Sequence, residues 1–322
     1  MEKATEEKLQ DIYPLFEQFD ILEAKDALSK ALEEDLSNSE ILFCLKACGF
    51  WINHKGDLSN CANIFEQGEQ ILSDWKEFVN FLQEESSSHE KCIFSIKKGV
   101  FTFALQIFMG IYAQMNDINL QKNLPIEIQK NKVLSDIAVC NKSLGNYEIA
   151  LNILKEAEGT EKGESDSSVL AEMADCYALC GDEKMAKLLF REAFYIDASS
   201  VDIRFLESQI FCQVYEEVKK RHSNKDSYLE WVPVEGVLLG IFDVKRELRT
   251  LEVGKLKQDI FALENELKSE GSQPEILIPR LINKYFWLID HYLATKDENS
   301  KINDNLLKIK WLDSDIYQRY TV

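Results

Sequence analysis

Between residues 131 and 198 the apolar positions run twice through one helical register. Leu134, Ile137, Ala138 and Asn141 lead to Gly145-Asn146-Tyr147, then to Ala150, Leu154 and Ala157. Leu170, Met173, Ala174 and Tyr177 lead to Gly181-Asp182-Glu183, then to Ala186, Phe190 and Ala193. Steps of three and four place each set on one helix face. A Gly followed by Asn or Asp stops one helix and starts the next, and the alanines sit where two helices approach closely. Two helical hairpins are predicted, with glycines 36 residues apart (181 − 145). A two-helix unit repeated at that spacing buries its apolar face against its neighbours, which predicts a solenoid.

Weaker copies of the pattern lie upstream. Leu45, Cys48, Gly49 and Ile52 precede Gly56-Asp57-Leu58, Cys61, Phe65 and Gly68. Ala24, Leu28, Ala31 and Leu32 read as the second helix of a unit whose poor first helix carries Asp11, Ile12 and Leu15. A degenerate unit is expected through Cys92, Ser95, Gly99, Phe101, Ala104 and Phe108. From about residue 225 the repeat is lost. The apolar run from Trp231 to Phe242 contains Pro233, Gly236 and Gly240, which predicts a short strand or ordered loop. A long helix is expected from Asp243 to Lys268, with Val244, Leu248, Leu251, Leu256, Ile260, Leu263 and Leu267 on its apolar side. Gly271 closes it and Pro274 opens the next, from Ile276 to Leu293, which holds Tyr285, Phe286, Trp287 and Tyr292. A last short helix is expected in the tail from Trp311 to Tyr320.

The sequence over 131–198 resembles the tetratricopeptide repeat (TPR) family, whose unit is about 34 residues long. It departs by placing Ala198 where Pro is common, and the extra residues fit the loop Gly159 to Ser165. The resemblance implies an all-α fold: a TPR-like superhelical solenoid over residues 1–222, clearest at 131–198, followed by a mainly helical capping part over 223–322. It also implies a concave groove lined by the first helix of each pair, where a partner segment lies. The groove positions are Lys46, Phe50 and Asn53, then Lys132, Ser135, Val139 and Lys142, then Ser168, Ala171 and Asp175. Lys46 matches one position of the family's carboxylate clamp, but Phe50 stands where Asn is required, so capture of a C-terminal carboxylate is not implied. The mixed lining suits an extended or helical segment of another partner, or a part of this chain folding back.

Charge narrows the partners. The 322 residues include 37 Lys and Arg against 56 Asp and Glu, a net charge of −19. That balance repels nucleic acid and anionic lipid and favours basic or neutral protein partners. The polar start Met1 to Lys8 does not read as a signal peptide. The apolar run Val100 to Ala113 falls short of the ~20 residues of a membrane span and reads as a buried helix. Arg280, Lys284 and Asp290 break up the run at 276–293. No membrane span is expected, and the chain reads as cytoplasmic.

Chemistry is sparse. Cys44/Cys48 and Cys176/Cys180 have i,i+4 spacing, yet no histidine stands at a matching metal-ligand spacing. All eight cysteines read as small core residues in a reducing compartment. No phosphate-cradling loop, nucleophile elbow or paired-His zinc motif is present. No catalytic residue, metal or cofactor is therefore nominated. The expected function is a non-enzymatic adaptor or scaffold. The alternatives are self-assembly through the C-terminal part, where aromatic residues concentrate, or a module that binds a small molecule.

Overall fold

The computed structural model describes residues 2–84, 89–116, 129–159, 166–245, 247–296 and 299–321. Among these residues there are fifteen α-helices and no strand, so the chain is all-α. It forms two compact units, residues 1–160 and 161–322. The boundary at 222/223 expected from the repeat falls inside the second unit.

The first unit holds α1 (Glu2–Glu17), α2 (Ile21–Glu34), α3 (Ser39–Asp57), α4 (Ile64–Glu84), α5 (Glu90–Asn116), α6 (Lys130–Ser143) and α7 (Tyr147–Gly159). The second holds α8 (Ser167–Leu179), α9 (Glu183–Asp197), α10 (Gln209–Arg221), α11 (Tyr228–Leu238), α12 (Thr250–Leu267), α13 (Pro274–Ala294), α14 (Asn299–Leu312) and α15 (Ser314–Thr321). The hairpins α6–α7 and α8–α9 form as the periodicity predicts. Their turns are built identically. Gly145 (φ +84°) and Gly181 (φ +88°) take the left-handed conformation that a glycine adopts without steric cost. The N–H of Asn146 reaches the Asn141 carbonyl and that of Asp182 the Tyr177 carbonyl, each at 2.9 Å. These bonds, with those of the glycines themselves, satisfy carbonyls left open at the helix end. Ala138, Ala150, Ala157, Ala174, Ala186 and Ala193 are all buried at the two hairpins. Residues 160–165, which include the loop expected to absorb the extra length, lie outside the described residues.

The upstream copies fold differently. α5 is one uninterrupted helix of 27 residues that packs against α1, α4 and α6. Gly99, assigned to the degenerate unit, lies in mid-helix, where a Cβ would stand 1.9 Å from the Phe16 carbonyl oxygen. Gly68 likewise makes room for the Phe108 ring of α5, which a Cβ would meet at 2.6 Å. These glycines mark close approaches to α5, where the repeat template expected the partner helix of a hairpin. α3 and α4 meet instead through large rings, with Phe50–Phe78 centroids 5.2 Å apart and Trp51–Trp75 6.5 Å apart. Cys61, expected in a helix, lies half-buried in the connection before α4. α5 is long and apolar enough to cross a membrane by length and composition, and 44% of its most apolar stretch is buried within the fold.

In the second unit, α13 buries the longest apolar stretch, and α8, α9 and α11 add to the same interior. The expectation of a loop or strand at 231–242 is corrected: α11 is helical through Pro233. Its residues 230–236 are buried on all sides against α9, α10, α13 and α15, and that packing outweighs the lost N–H. Gly240 (φ +66°) ends the helix. Phe242 then folds back over Gly236, where a Cβ would stand 2.3 Å from its ring. The long helix expected from residue 243 starts only at Thr250, where the Glu252 carboxylate accepts the Arg249 N–H at 2.7 Å. Leu251, expected on the apolar side, is 86% exposed. α13 begins at Pro274 after Gly271 (φ +83°), as predicted, and buries Tyr285, Phe286, Trp287 and Tyr292. The tail forms two helices where one was expected. α15 is held by Glu235 of α11, which is fully buried: Arg319 donates to both of its oxygens, one at 3.1 Å, and His222 Nε2 lies 3.0 Å away.

Two measurements probe this packing. Gly99→Ala should destabilise the chain by ~3 kcal/mol in urea denaturation, because backbone must move. Gly110→Ala on the same helix has open space and should stabilise it by about 0.5–1 kcal/mol. The second concerns acid. Burial pushes the Glu235 carboxyl up, but His222 and Arg319 hold it, on balance, below its ordinary 4.5. Its stabilising contribution is therefore complete above pH 4.5 and is lost as pH falls through the lowered folded value. The stability gap between wild type and Glu235→Gln, followed by melting at several pH values, should close only in that acid range.

Candidate functional site

The structure scatters the expected groove residues. On α3, Lys46 and Asn53 are exposed, while Phe50 is half-buried and stacks on His54 with centroids 4.0 Å apart. On α6, Lys132 Nζ lies 3.0 Å from Glu69 Oε1 and 2.6 Å from Asp136 Oδ1. Burial drives the Asp136 carboxyl upward, the Glu69 charge adds to this, and Lys132 opposes it. Ser135 is half-buried, and Val139 and Lys142 are buried. On α8, the Ser168 hydroxyl accepts the Asp202 N–H at 3.0 Å. Fully buried Asp175 accepts the N–H groups of Glu207 (3.0 Å) and Ser208 (2.8 Å), and Ala171 between them is fully buried. The stretch 202–208 therefore covers the α8 face on which a partner was expected. Its backbone N–H groups need acceptors, and Ser168 and Asp175 provide them.

The open concavity of the second unit lies elsewhere. A hollow of about 680 Å³ is bounded by the start of α8, the end of α9, and facing side chains of α11, α12 and α13. A second, of about 500 Å³, shares Ser199, Glu230 and Arg280 with it. Arg280 pairs with buried Glu230. One turn further along α13, Lys284 Nζ lies 3.2 Å from Asp259 of α12 and 4.5 Å above the Tyr195 ring. Asn283, between them, donates to the Phe194 carbonyl at 3.1 Å and so closes the end of α9. Asp197 accepts the Ser199 N–H at 3.0 Å and the hydroxyls of Ser199 and Ser200 at 2.6 Å. Burial alone would raise its carboxyl, but these bonds hold it below the usual range. Asp166, Asp197, Glu230 and Asp259 line the first hollow, Asp226 and Glu266 the second, and Arg280 and Lys284 are the cations facing them. Phe194, Leu263, Ile276 and Leu277 add apolar surface. An arrangement with six carboxylates, two cations and an apolar floor can hold a chain that carries positive charge.

None of the groove residues read from the sequence lines these hollows. The signal for them was the pair of cations breaking the apolar run of α13 at i,i+4 spacing, which reads equally well as an amphipathic helix until α12 is placed opposite. The cysteines are all free thiols. Cys44, Cys48, Cys92, Cys140 and Cys176 are buried as expected, but Cys180 and Cys212 are exposed. Among the described residues no group of three His, Cys, Asp or Glu side chains is placed to hold a metal ion. Comparison of the chain with family models, curated proteins and solved structures found no match.

Asp175→Ala would strand the buried Ser208 N–H and the part-buried Glu207 N–H and should cost about 2–3 kcal/mol in chemical denaturation. Asp175→Asn keeps one acceptor oxygen and should cost less than half as much.

Proposed function

We propose that the chain is a non-enzymatic adaptor built of TPR-like helical hairpins, and that it binds a basic, extended segment of a protein partner. The seat of that segment is the pair of hollows on α9, α12 and α13. One observation carries the reading: carboxylates outnumber cations there six to two over an apolar floor, in a chain of net charge −19. The α8 face is taken up by residues 202–208, which leaves the hollows as the accessible concave surface of this unit for a ligand.

A photo-cross-linking amino acid at Ala262, an exposed lining residue, should trap a discrete partner. The same probe at Gly254, exposed on α12, should not. The charge-reversed pair Asp259→Lys with Glu266→Lys should weaken binding by about tenfold or more, with the wild-type complex loosening as salt rises. Equal trapping from both probe sites would sink the proposal.

A second reading, self-assembly through the C-terminal part, has one observation in its favour. Trp311 is 87% exposed on α14, with Leu307, 51% exposed, one turn before it. Sedimentation should then give a mass above 37.2 kDa that returns to the monomer's in Trp311→Ser.

A further inference from the structure

In the first unit, independent of the hollows above, three charged side chains tie α4 to α6. Gly68 lets the Phe108 ring of α5 close against α4, and the next residue, Glu69, reaches across to α6. There Lys132 Nζ donates to Glu69 Oε1 at 3.0 Å and to Asp136 Oδ1 at 2.6 Å, so one ammonium gathers two carboxylates. Asp136 is 3% exposed, and its other oxygen, Oδ2, is closed off from solvent without a hydrogen-bond partner. Glu69 lies within hydrogen-bond reach of Asp136, yet two ionised carboxylates offer each other acceptors only. Further charge does not relieve them. α5 carries no charged side chain from residue 99 to 116, and its Tyr112 donates to Glu156 of α7 at 2.8 Å. The other charged residues of α7, Glu148, Lys155 and Glu158, are exposed or half-exposed. On α4, Glu66 turns to Ala62 and Asn63, and Asp74 accepts from Gln70. On α6, Lys130 pairs with Glu156 at 3.4 Å, and Cys140, one turn beyond Asp136, is a fully buried thiol that burial pushes up.

We propose that Glu69 and Asp136 share one proton in the folded chain, and that this proton is a pH-sensitive clasp. While it is bound, α4 is held to α6; when it leaves, the two carboxylates repel and the contact loosens. With the proton the cluster is neutral, one carboxylate against one ammonium. Without it, a net negative charge sits on a buried side chain. Burial pushes the Asp136 carboxyl up, Lys132 opposes, and Glu69 adds to the rise, to about 8. Burial alone would lower Lys132, but Asp136 and Glu69 outweigh it and hold the ammonium above its ordinary 10.5. The lysine therefore stays charged while the carboxyl pair titrates. The side chains of Glu69 and Lys132, 31% and 41% exposed, give the proton a route to water. The unfolded chain gives this proton up at the ordinary 3.8, so between there and about 8 only the folded chain holds it. Stability therefore falls as pH climbs through that window and levels off above it. That is the opposite sense to Glu235, whose contribution is lost on the acid side.

The full-length chain and two variants test the clasp. Asp136→Asn puts a permanent N–H donor where the proton sits. It should melt with wild type near about pH 5 and above it by about 3 °C or more near about pH 8.5. Infrared spectra of the folded chain at neutral pH should show the C=O band of a protonated carboxyl. That band should vanish in Asp136→Asn. It should vanish equally in Glu69→Gln, because Lys132 then faces a single carboxylate and keeps it ionised. Glu69 is half-exposed, so its replacement tests the shared proton even if Asp136→Asn folds poorly. Hydrogen exchange of the α4 amides, corrected for base catalysis, should speed by about tenfold or more between about pH 6 and 9 in wild type and stay level in Asp136→Asn. The proposal is overturned if wild type and Asp136→Asn lose stability in parallel across this range. A carboxyl band that survives Glu69→Gln would show that Asp136 keeps its proton by burial alone, and it would overturn the sharing. Exchange in α4 that ignores pH would overturn the clasp.

Discussion

Every helix end leaves four N–H or four C=O groups without a partner inside the helix, and the fifteen helices among the described residues meet that constraint at almost every connection. How the ends are closed decides what surface is left. At α6 and α8 the close is local: a left-handed glycine lets its own N–H and the next one turn back onto the helix. At α9 it is tertiary, with Asn283 arriving from α13 to take the Phe194 carbonyl. Before α10 it is tertiary again, and here the cost is functional. Asp175 and Ser168 spend their acceptors on residues 202–208, and so the face that the repeat would offer a partner is used by the chain itself.

The first unit answers a different constraint, that of bringing a long central helix close to its neighbours. Where backbones nearly touch, side chains are absent: Gly99 lies against the end of α1, and Gly68 under Phe108. Where helices stand apart, rings fill the gap, from Phe50 and Trp51 through Trp75 to Phe78 and Phe101. Small and large residues thus do one job at two separations, which is how an interior reaches crystal-like density with helices of unequal spacing.

Legibility in the sequence followed the range of the interaction. Gly145 and Gly181 act on residues within five positions, and both turns could be read directly. Gly99 and Gly68 look the same in a sequence, yet each answers to a residue far along the chain, Phe16 or Phe108, and so they were assigned to copies of the repeat. Pro233 pointed to a break in structure, but burial on every side of α11 overrode local propensity. The charged pair Arg280 and Lys284 was visible as an interruption of an apolar run. Its meaning depended on Asp259 and Glu230, contributed by two other helices. The all-α class was therefore legible, and the hollows that α12 and α13 line were not.

Phe19 shows where these two ranges collide. It stands at the end of α1 with φ +57°, the position that glycine occupies at α6 and α8, and a bulky residue there carries a penalty of roughly 1–2 kcal/mol. Its ring is buried against Trp51 of α3 and Phe103 of α5, with centroids 5.5 and 5.3 Å away. The bend between α1 and α2 is thus not encoded on the spot, because it holds only once two remote helices have arrived to clasp the ring. The glycine hairpins can close while the chain is still largely open, in the time a local loop needs. The N-terminal bend must wait for collapse, and it belongs among the last features of its unit to form and the first to let go.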